Sequence, residues 1–168
     1  MNNKTSALPE RTGCQPATGL AMRLNARACG DYGVKLAETV ATLQSAAAHT
    51  PVTQANSLGA EDMVITHLIN AHQLPISVFV LETGALHTET LALLEQLTMQ
   101  QAAHPKAPLT VYRPMTESVL QFVAREGNDA MYTSMKLRKA CCGIRKMEPL
   151  ARALAGQKAW ITGLRREQ

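Results

Sequence analysis

The sequence has 168 residues, of which 46% are hydrophobic, and a net charge of +4. That length fits one domain with a substantial core. Only three Tyr, two Phe and one Trp occur, too few for the aromatic stacking surfaces of single-strand binding, so we expect no nucleic-acid partner. The longest apolar stretch, residues 76–81, is far shorter than the roughly 18–20 residues of a membrane span, and no signal-like segment opens the chain. We therefore expect a cytoplasmic protein with no membrane partner.

The hydrophobic spacing predicts the elements in chain order. Residues 1–23 are polar and aperiodic, and we predict a mobile N-terminal tail there, followed by one domain at 24–168. The predicted helices are 32–49, 60–70, 88–103, 116–125 and 137–154, and the predicted strands are 52–57, 76–81, 109–112 and 159–162. This alternation predicts an α/β fold with a mostly parallel sheet flanked by helices. The first strand fits least well, because Gln54 and Asn56 are more polar than a strand buried on both faces should be.

The first candidate site is the segment SLGAED, residues 57–62, where a strand gives way to a helix. Gly59 would permit a tight turn, and the amides that open the helix, aided by the Ser57 hydroxyl, would face an anion favoured by the helix dipole. Ser57, Gly59 and Asp62 are therefore candidate substrate-binding residues. The alternative is an ordinary turn and helix cap.

The second candidate is the segment LETGALHTET, residues 81–90, which leaves the end of the second strand. Ligands of open α/β sheets lie beyond the carboxyl ends of the strands, so this segment is well placed to hold a base or ribose. The candidate residues are Leu81, Thr83, Gly84 and His87. A solvated or capping role at the helix start is the alternative for His87.

Four cysteines occur, Cys14, Cys29, Cys141 and Cys142. The last two are adjacent in the third candidate segment, KACCGIRK, residues 139–146, and adjacency suits metal or cluster ligation better than an ordinary disulfide. On a helix they would point about 100 degrees apart, which suits two corners of an iron–sulfur cluster, and Lys146 follows one turn later. The alternative is a pair of buried small residues beside a solvated basic face.

The fourth candidate is the C-terminal segment AWITGLRREQ, residues 159–168. A short strand leads into Gly163, Arg165 and Arg166, whose guanidinium groups can bind phosphate or sulfate. The alternative is that both arginines are simply solvated. Positive residues are concentrated in the last third of the chain, which favours a small anionic ligand.

Together, these four segments resemble the assimilatory adenylyl-sulfate reductases of the phosphoadenylyl-sulfate reductase family. The resemblance covers residues 57–168 and is strongest in the Cys-Cys-x-x-Arg-Lys and C-terminal segments. It implies an adenine-nucleotide α-hydrolase-like, doubly wound sheet and a nucleotide-binding reductase domain at 24–168. It also implies reduction of adenosine 5′-phosphosulfate to sulfite and AMP, with thioredoxin as electron donor, in sulfate assimilation and cysteine biosynthesis.

The resemblance also assigns roles to single residues. Cys141 and Cys142 would be two of the four ligands of a 4Fe-4S cluster, and Lys146 would be the catalytic residue that links the cluster to the substrate's sulfate. Relatives specific for 3′-phosphoadenylyl sulfate commonly lack the cysteine pair, so adenosine 5′-phosphosulfate is the expected substrate. A homo-oligomer is compatible with the sequence.

The sequence also departs from the family pattern. The family's second ligand pair, Cys-x-x-Cys, and the nucleophilic cysteine of its Glu-Cys-Gly-Leu-His tail do not occur in these 168 residues, which predicts a C-terminally truncated chain. The usual Asp-Thr-Gly-Arg-Leu-His motif has Glu82 and Ala85 at its first and fourth positions. The alternatives are a non-catalytic nucleotide-binding remnant, a phosphoadenylyl-sulfate reductase, or an ATP pyrophosphatase-type relative. The last is disfavoured because the loop lacks a Ser-Gly-Gly pattern.

Overall fold

The computed structural model describes residues 30–164. The chain divides after Leu36 into two compact units, and the sheet, the apolar clusters and the cavity discussed below lie in the second, from Ala37 onward. The described residues contain these helices: α1 Tyr32–Ala47, α2 Ala60–Ala71, α3 Thr88–Gln101, α4 Thr116–Glu126, α5 Ala130–Thr133, α6 Met135–Cys142 and α7 Glu148–Leu154. The strands are β1 Val52–Ala55, β2 Ser77–Leu81, β3 Leu109–Tyr112 and β4 Ala159–Ile161. The predicted tail at 1–23 lies outside the described residues, and the domain boundary stays a prediction.

The four strands form one parallel sheet in the order β3-β2-β1-β4. This confirms the predicted α/β fold with a parallel sheet and flanking helices. Because all strands run the same way, their carboxyl ends, and the loops that follow them, lie along one edge. β1 and β4 are neighbours although about a hundred residues separate them in the chain, so the sheet brings the first and fourth candidate segments together.

The polar strand β1 is a central strand, as predicted in spite of its composition. Gln54 is fully buried, and Asn56, which follows the strand, is 3% exposed. Both are hydrogen-bonded to Thr66 of α2: the Thr66 hydroxyl donates to Gln54 Oε1 at 2.7 Å, and Asn56 Nδ2 donates to Thr66 Oγ1 at 2.8 Å. Gln54 Nε2 also donates to the Asp62 carbonyl at 2.7 Å. The polar side chains of Gln54 and Asn56 can therefore be buried because they are hydrogen-bonded. These hydrogen bonds also attach α2 to the sheet.

Two apolar clusters lie among residues 30–164. One lies between the sheet and α3, with Leu58, Val80, Leu94 and Leu97 at its centre. The other joins α4, α5 and α6 through Phe122, Ala130 and Cys141.

The predicted helical region at 137–154 is helical throughout most of its length, but it is divided into three elements. The structure has α6, then a π-helical turn at Gly143–Met147, then α7. Pro149 lies in the first turn of α7. Proline has no N–H to donate to the carbonyl four residues earlier, so the α-helical hydrogen-bond pattern cannot run unbroken through this point. The short helix α5 was not predicted.

Candidate functional site

A cavity of about 480 Å³ opens at the carboxyl ends of β1, β2 and β4. Six of the residues predicted from sequence line it: Ser57, Asp62, Leu81, Thr83, Lys146 and Gly163. They come from all four candidate segments. The fold therefore brings residues that are up to about a hundred positions apart in the sequence to one cavity. The position agrees with the general location of ligand sites in open α/β sheets.

Much of the cavity wall is apolar, and sequence reasoning did not identify it. Phe79 and Leu86 contribute from the β2 side, and Met147 and Leu150 contribute from the π-helical turn and α7. Phe79 is 2% exposed and packs edge-on against Tyr112, with ring centroids 5.9 Å apart. The sequence places Phe79 within the apolar stretch of the predicted strand 76–81, and only the structure shows that its side chain lines a cavity. An apolar wall beside a few polar groups suits a flat heterocycle that carries an anionic substituent.

The loop between β1 and α2 turns at Leu58, which has a positive φ of 66°. The prediction that Gly59 permits the tight turn is wrong, because Gly59 is extended, with φ −75° and ψ 161°. The Asn56 side chain makes the turn possible, since its Oδ1 accepts a hydrogen bond from the Leu58 amide at 2.6 Å. Gly59 still precedes α2, and no side chain caps that helix end.

Asp62 occupies the first turn of α2 and is only 6% exposed. Its Oδ2 accepts hydrogen bonds from the Ser57 amide at 2.9 Å and from the Ser57 hydroxyl at 2.5 Å. Its Oδ1 accepts a hydrogen bond from the Gly163 amide at 2.7 Å. The Ser57 hydroxyl and the Gly163 amide therefore point at a carboxylate of the same chain.

The loop after β2 is held by two charged side chains. Glu82 accepts hydrogen bonds from the Gly84 amide at 2.6 Å and from Arg113 Nε at 3.0 Å. Arg145, in the π-helical turn, donates to the Thr83 carbonyl at 2.7 Å. Gly84 has φ +70°, and a Cβ there would lie 3.1 Å from Arg145 Nη1. Glycine is therefore favoured at this position by its backbone conformation.

Two predicted residues of this loop do not line the cavity. Gly84 is exposed, and His87 is the exposed N-cap residue of α3 without a side-chain capping bond. Their assignment as substrate-binding residues stays a prediction, as do the assignments of Arg165 and Arg166, which lie outside the described residues.

The cysteine pair lies in a different environment from the cavity. Cys141 is buried in the apolar cluster with Phe122 and Ala130, and Cys142 is half-buried. Among residues 30–164, no three His, Cys, Asp or Glu side chains are grouped to bind a metal. The described residues therefore offer two thiolate donors, which fit half of the ligand set of a four-iron cluster. Cys14 and Cys29 lie outside the described part of the chain.

Arg152 and Glu148 form an ion pair on α7, and Arg152 also contacts the end of β3. Arg152 Nε donates a hydrogen bond to Glu148 Oε1 at 2.6 Å. The Arg152 guanidinium also donates to the Arg113 carbonyl, and its Cζ lies 5.8 Å from the centroid of the Tyr112 ring. The hydrogen bond from Arg152 holds the pKa of the Glu148 carboxyl below its ordinary value, and the same bond raises the pKa of Arg152.

Between residues 30 and 164, no helix combines the length and the apolar character that crossing a membrane requires.

Comparison with known proteins gives consistent matches. The model of the phosphoadenosine phosphosulfate reductase domain matches residues 51–168. An adenosine 5′-phosphosulfate reductase of Allochromatium vinosum is 50% identical over 114 residues, which are 68% of this chain and 43% of that protein. Another from Neisseria meningitidis serogroup B is 46% identical over 138 residues, 79% of this chain and 55% of that protein. This chain thus spans about half the length of these relatives.

A solved structure has the same fold. The phosphoadenylyl-sulfate reductase of Candida auris, crystallised as a phosphate complex, matches with a TM-score of 0.61 over 84% of this chain and 70% of that chain. At 22% identity, this likeness supports the architecture described above.

Proposed function

The chain belongs to the phosphoadenosine phosphosulfate reductase domain family, and we propose that it acts in the reduction of adenosine 5′-phosphosulfate to sulfite and AMP, with thioredoxin as electron donor. The observation that carries this proposal is the cavity at the carboxyl ends of β1, β2 and β4, where the four sequence segments meet. The names of the two relatives described above, which are 46–50% identical, supply the substrate.

The cavity offers complementary surfaces to the two ends of this substrate. Leu81, Thr83 and the apolar wall at Phe79 would receive the adenosine, because a heterocycle can pack against apolar side chains while backbone groups read its edge. Lys146 is exposed and lines the same cavity. Its ammonium group would pair with the phosphosulfate, whose negative charge is otherwise poorly matched by the carboxylates of Glu61 and Asp62.

Cys141 and Cys142 would hold two corners of a 4Fe-4S cluster. Lys139, Arg145 and Lys146 lie within five residues of the pair, and their charges would offset the negative charge of thiolate-ligated iron. When bound, the cluster would supply an iron centre that modifies the electrostatic field around the substrate's sulfate. The cysteine pair also favours adenosine 5′-phosphosulfate over its 3′-phosphorylated form as substrate.

Calorimetric titration with adenosine 5′-phosphosulfate and with AMP tests the substrate assignment. We expect Lys146→Ala to weaken binding of adenosine 5′-phosphosulfate by about 10-fold or more, as loss of a charge-assisted hydrogen bond typically does, and to change AMP binding less. Lys158→Ala is the matched control, since Lys158 is exposed at the start of β4, the opposite end of the strand from the cavity. Equal affinities of wild type and Lys146→Ala for adenosine 5′-phosphosulfate would show that the sulfate contact is wrong.

Iron and acid-labile sulfide, measured after oxygen-free purification, test the cluster. Near-stoichiometric iron, with sulfite released from adenosine 5′-phosphosulfate by reduced thioredoxin, is the expected result. The alternative is a nucleotide-binding chain without turnover, favoured by the finding of only two grouped thiolates among residues 30–164. A folded, iron-free protein that binds the nucleotide and releases no sulfite would establish that alternative. AMP and pyrophosphate formed from ATP would instead indicate an ATP pyrophosphatase.

A further inference from the structure

Two loops that border the cavity follow neighbouring strands and are joined by one side chain. The first loop follows β1 and contains Ser57, and the second follows β4 and contains Gly163. Asp62 contacts both, through separate oxygens: Oδ2 accepts from Ser57 and Oδ1 accepts from Gly163. The Asp62 carbonyl is itself fixed to β1 through Gln54 Nε2. The carboxylate therefore bridges the two loops from a point anchored on the sheet.

The bridge depends on close approach of the second loop to α2. A Cβ on Gly163 would lie 2.6 Å from Asp62 Oδ1 and 2.9 Å from the Asp62 amide nitrogen. Both distances are shorter than carbon can tolerate, so only glycine fits while the hydrogen bond is kept. The glycine and the aspartate are thus geometrically matched, although 101 residues separate them in the chain.

The charge of Asp62 is satisfied within the protein. Three donors surround its two oxygens, and the carboxylate lies in the first turn of α2, where the helix dipole favours a negative charge. It is 6% exposed. A carboxylate so placed is suited to hold backbone donors in position, and it is poorly suited to contact an anionic ligand directly.

We propose that Asp62 is a positioning residue, which fixes the separation of the loops that carry Ser57 and Gly163 and so sets the width of the cavity. The position of the two loops is inferred from the hydrogen bonds of Asp62. The expected effect on nucleotide binding rests on the proposed function. Loosening either loop would enlarge the cavity and misplace the groups that line it, and small displacements of positioning groups reduce binding and rate substantially.

Amide hydrogen exchange of Asp62→Asn tests the clamp without any ligand. Asparagine keeps the shape but has one acceptor oxygen, and its NH₂ group must face donors on the other side. We expect the amide of Ser57, of Gly163 or of both to exchange about 10–150-fold faster, the range for loss of a charge-assisted hydrogen bond. Exchange at Val78, in the centre of the sheet, should change far less. Asp129→Asn is the matched control, because Asp129 is exposed and makes no side-chain capping bond.

A second variant keeps the test decisive if Asp62→Asn does not fold. Gly163→Ala should accelerate exchange at position 163, because the new Cβ forces the loop away from Asp62, while the Ser57 amide stays protected by Oδ2. Gly33→Ala is its control, since nothing lies within 4 Å of a Cβ at Gly33. Unchanged exchange at both clamped amides would overturn the proposal, and so would an equal acceleration at Val78, which would mean that Asp62 acts only on global stability.

Titration with AMP then tests the link to the cavity. We expect Asp62→Asn to bind AMP about 10-fold more weakly or worse, and Asp129→Asn to bind it as the wild type does. Loosened loops with unchanged AMP affinity would overturn the link. If the wild type binds neither AMP nor adenosine 5′-phosphosulfate, the proposed function fails, and the exchange rates alone still decide whether Asp62 is the clamp.

Discussion

Replacement of Thr66 by valine tests the buried polar network beneath the cavity. Thr66 is 2% exposed, and its hydroxyl is the shared partner of Gln54 Oε1 and Asn56 Nδ2. Valine keeps the branched shape and leaves no cavity, but it strands one acceptor and one donor in the interior. Each stranded group costs about 1–3 kcal/mol, so the free energy of unfolding should fall by about 2–6 kcal/mol. That is a large share of the roughly 5–15 kcal/mol that stabilises a typical domain.

Urea denaturation followed by circular dichroism measures this loss, with Thr98→Val as the matched control. The Thr98 hydroxyl donates to the Leu94 carbonyl one turn earlier, on an exposed part of α3. Its removal strands no buried group, and the free energy of unfolding should change by less than about 1 kcal/mol. If Thr66→Val is no more destabilising than Thr98→Val, then Gln54 and Asn56 find other partners and the reasoning about the network is wrong.

Two further predictions concern the loops. Gly84→Ala should lower the free energy of unfolding by about 1–3 kcal/mol, because φ is +70° there and the new Cβ would lie 3.1 Å from Arg145 Nη1; urea titration measures the loss, and a value equal to that of Gly33→Ala would contradict it. With Glu148→Gln, the free energy of unfolding should fall less steeply than in the wild type as the pH is lowered into the acid range. Because the pKa of Glu148 is lowered by Arg152, its contribution is present above its ordinary pKa of 4.5 and is lost as the pH falls through its folded-state pKa; the difference should shrink in high salt, since the pair is exposed. Identical profiles for wild type and variant at low salt would exclude this role.

The local sequence determined the kind and order of most elements. Apolar runs identified β2, β3 and β4, and apolar spacing identified the long helices, because both patterns are contained within short stretches of chain. The alternation of strands and helices was sufficient to predict a parallel sheet, and the four segments that meet at the cavity were each identified as candidates before their contacts were known.

Local signals failed where a particular side-chain contact decides the conformation. The polar residues of β1 are explained by their hydrogen bonds to Thr66 on α2. The turn that was expected at Gly59 lies at Leu58, because the Asn56 side chain accepts a hydrogen bond from the Leu58 amide. The sequence predicted the helical region at 137–154, but not the π-helical turn within it.

The sequence by itself determined which residues carry charge, thiol and special backbone freedom, since these are properties of single residues and short segments. Only the tertiary structure decided which of them meet. Placing β4 beside β1 brings the Gly163 amide to 2.7 Å from the Asp62 carboxylate. The carboxylate of Asp62, a residue predicted to bind substrate, therefore accepts hydrogen bonds from groups within the protein. The physical reason is that a hydrogen bond depends on separation in space, and the strand order of a sheet, which fixes that separation, arises from packing over the whole chain.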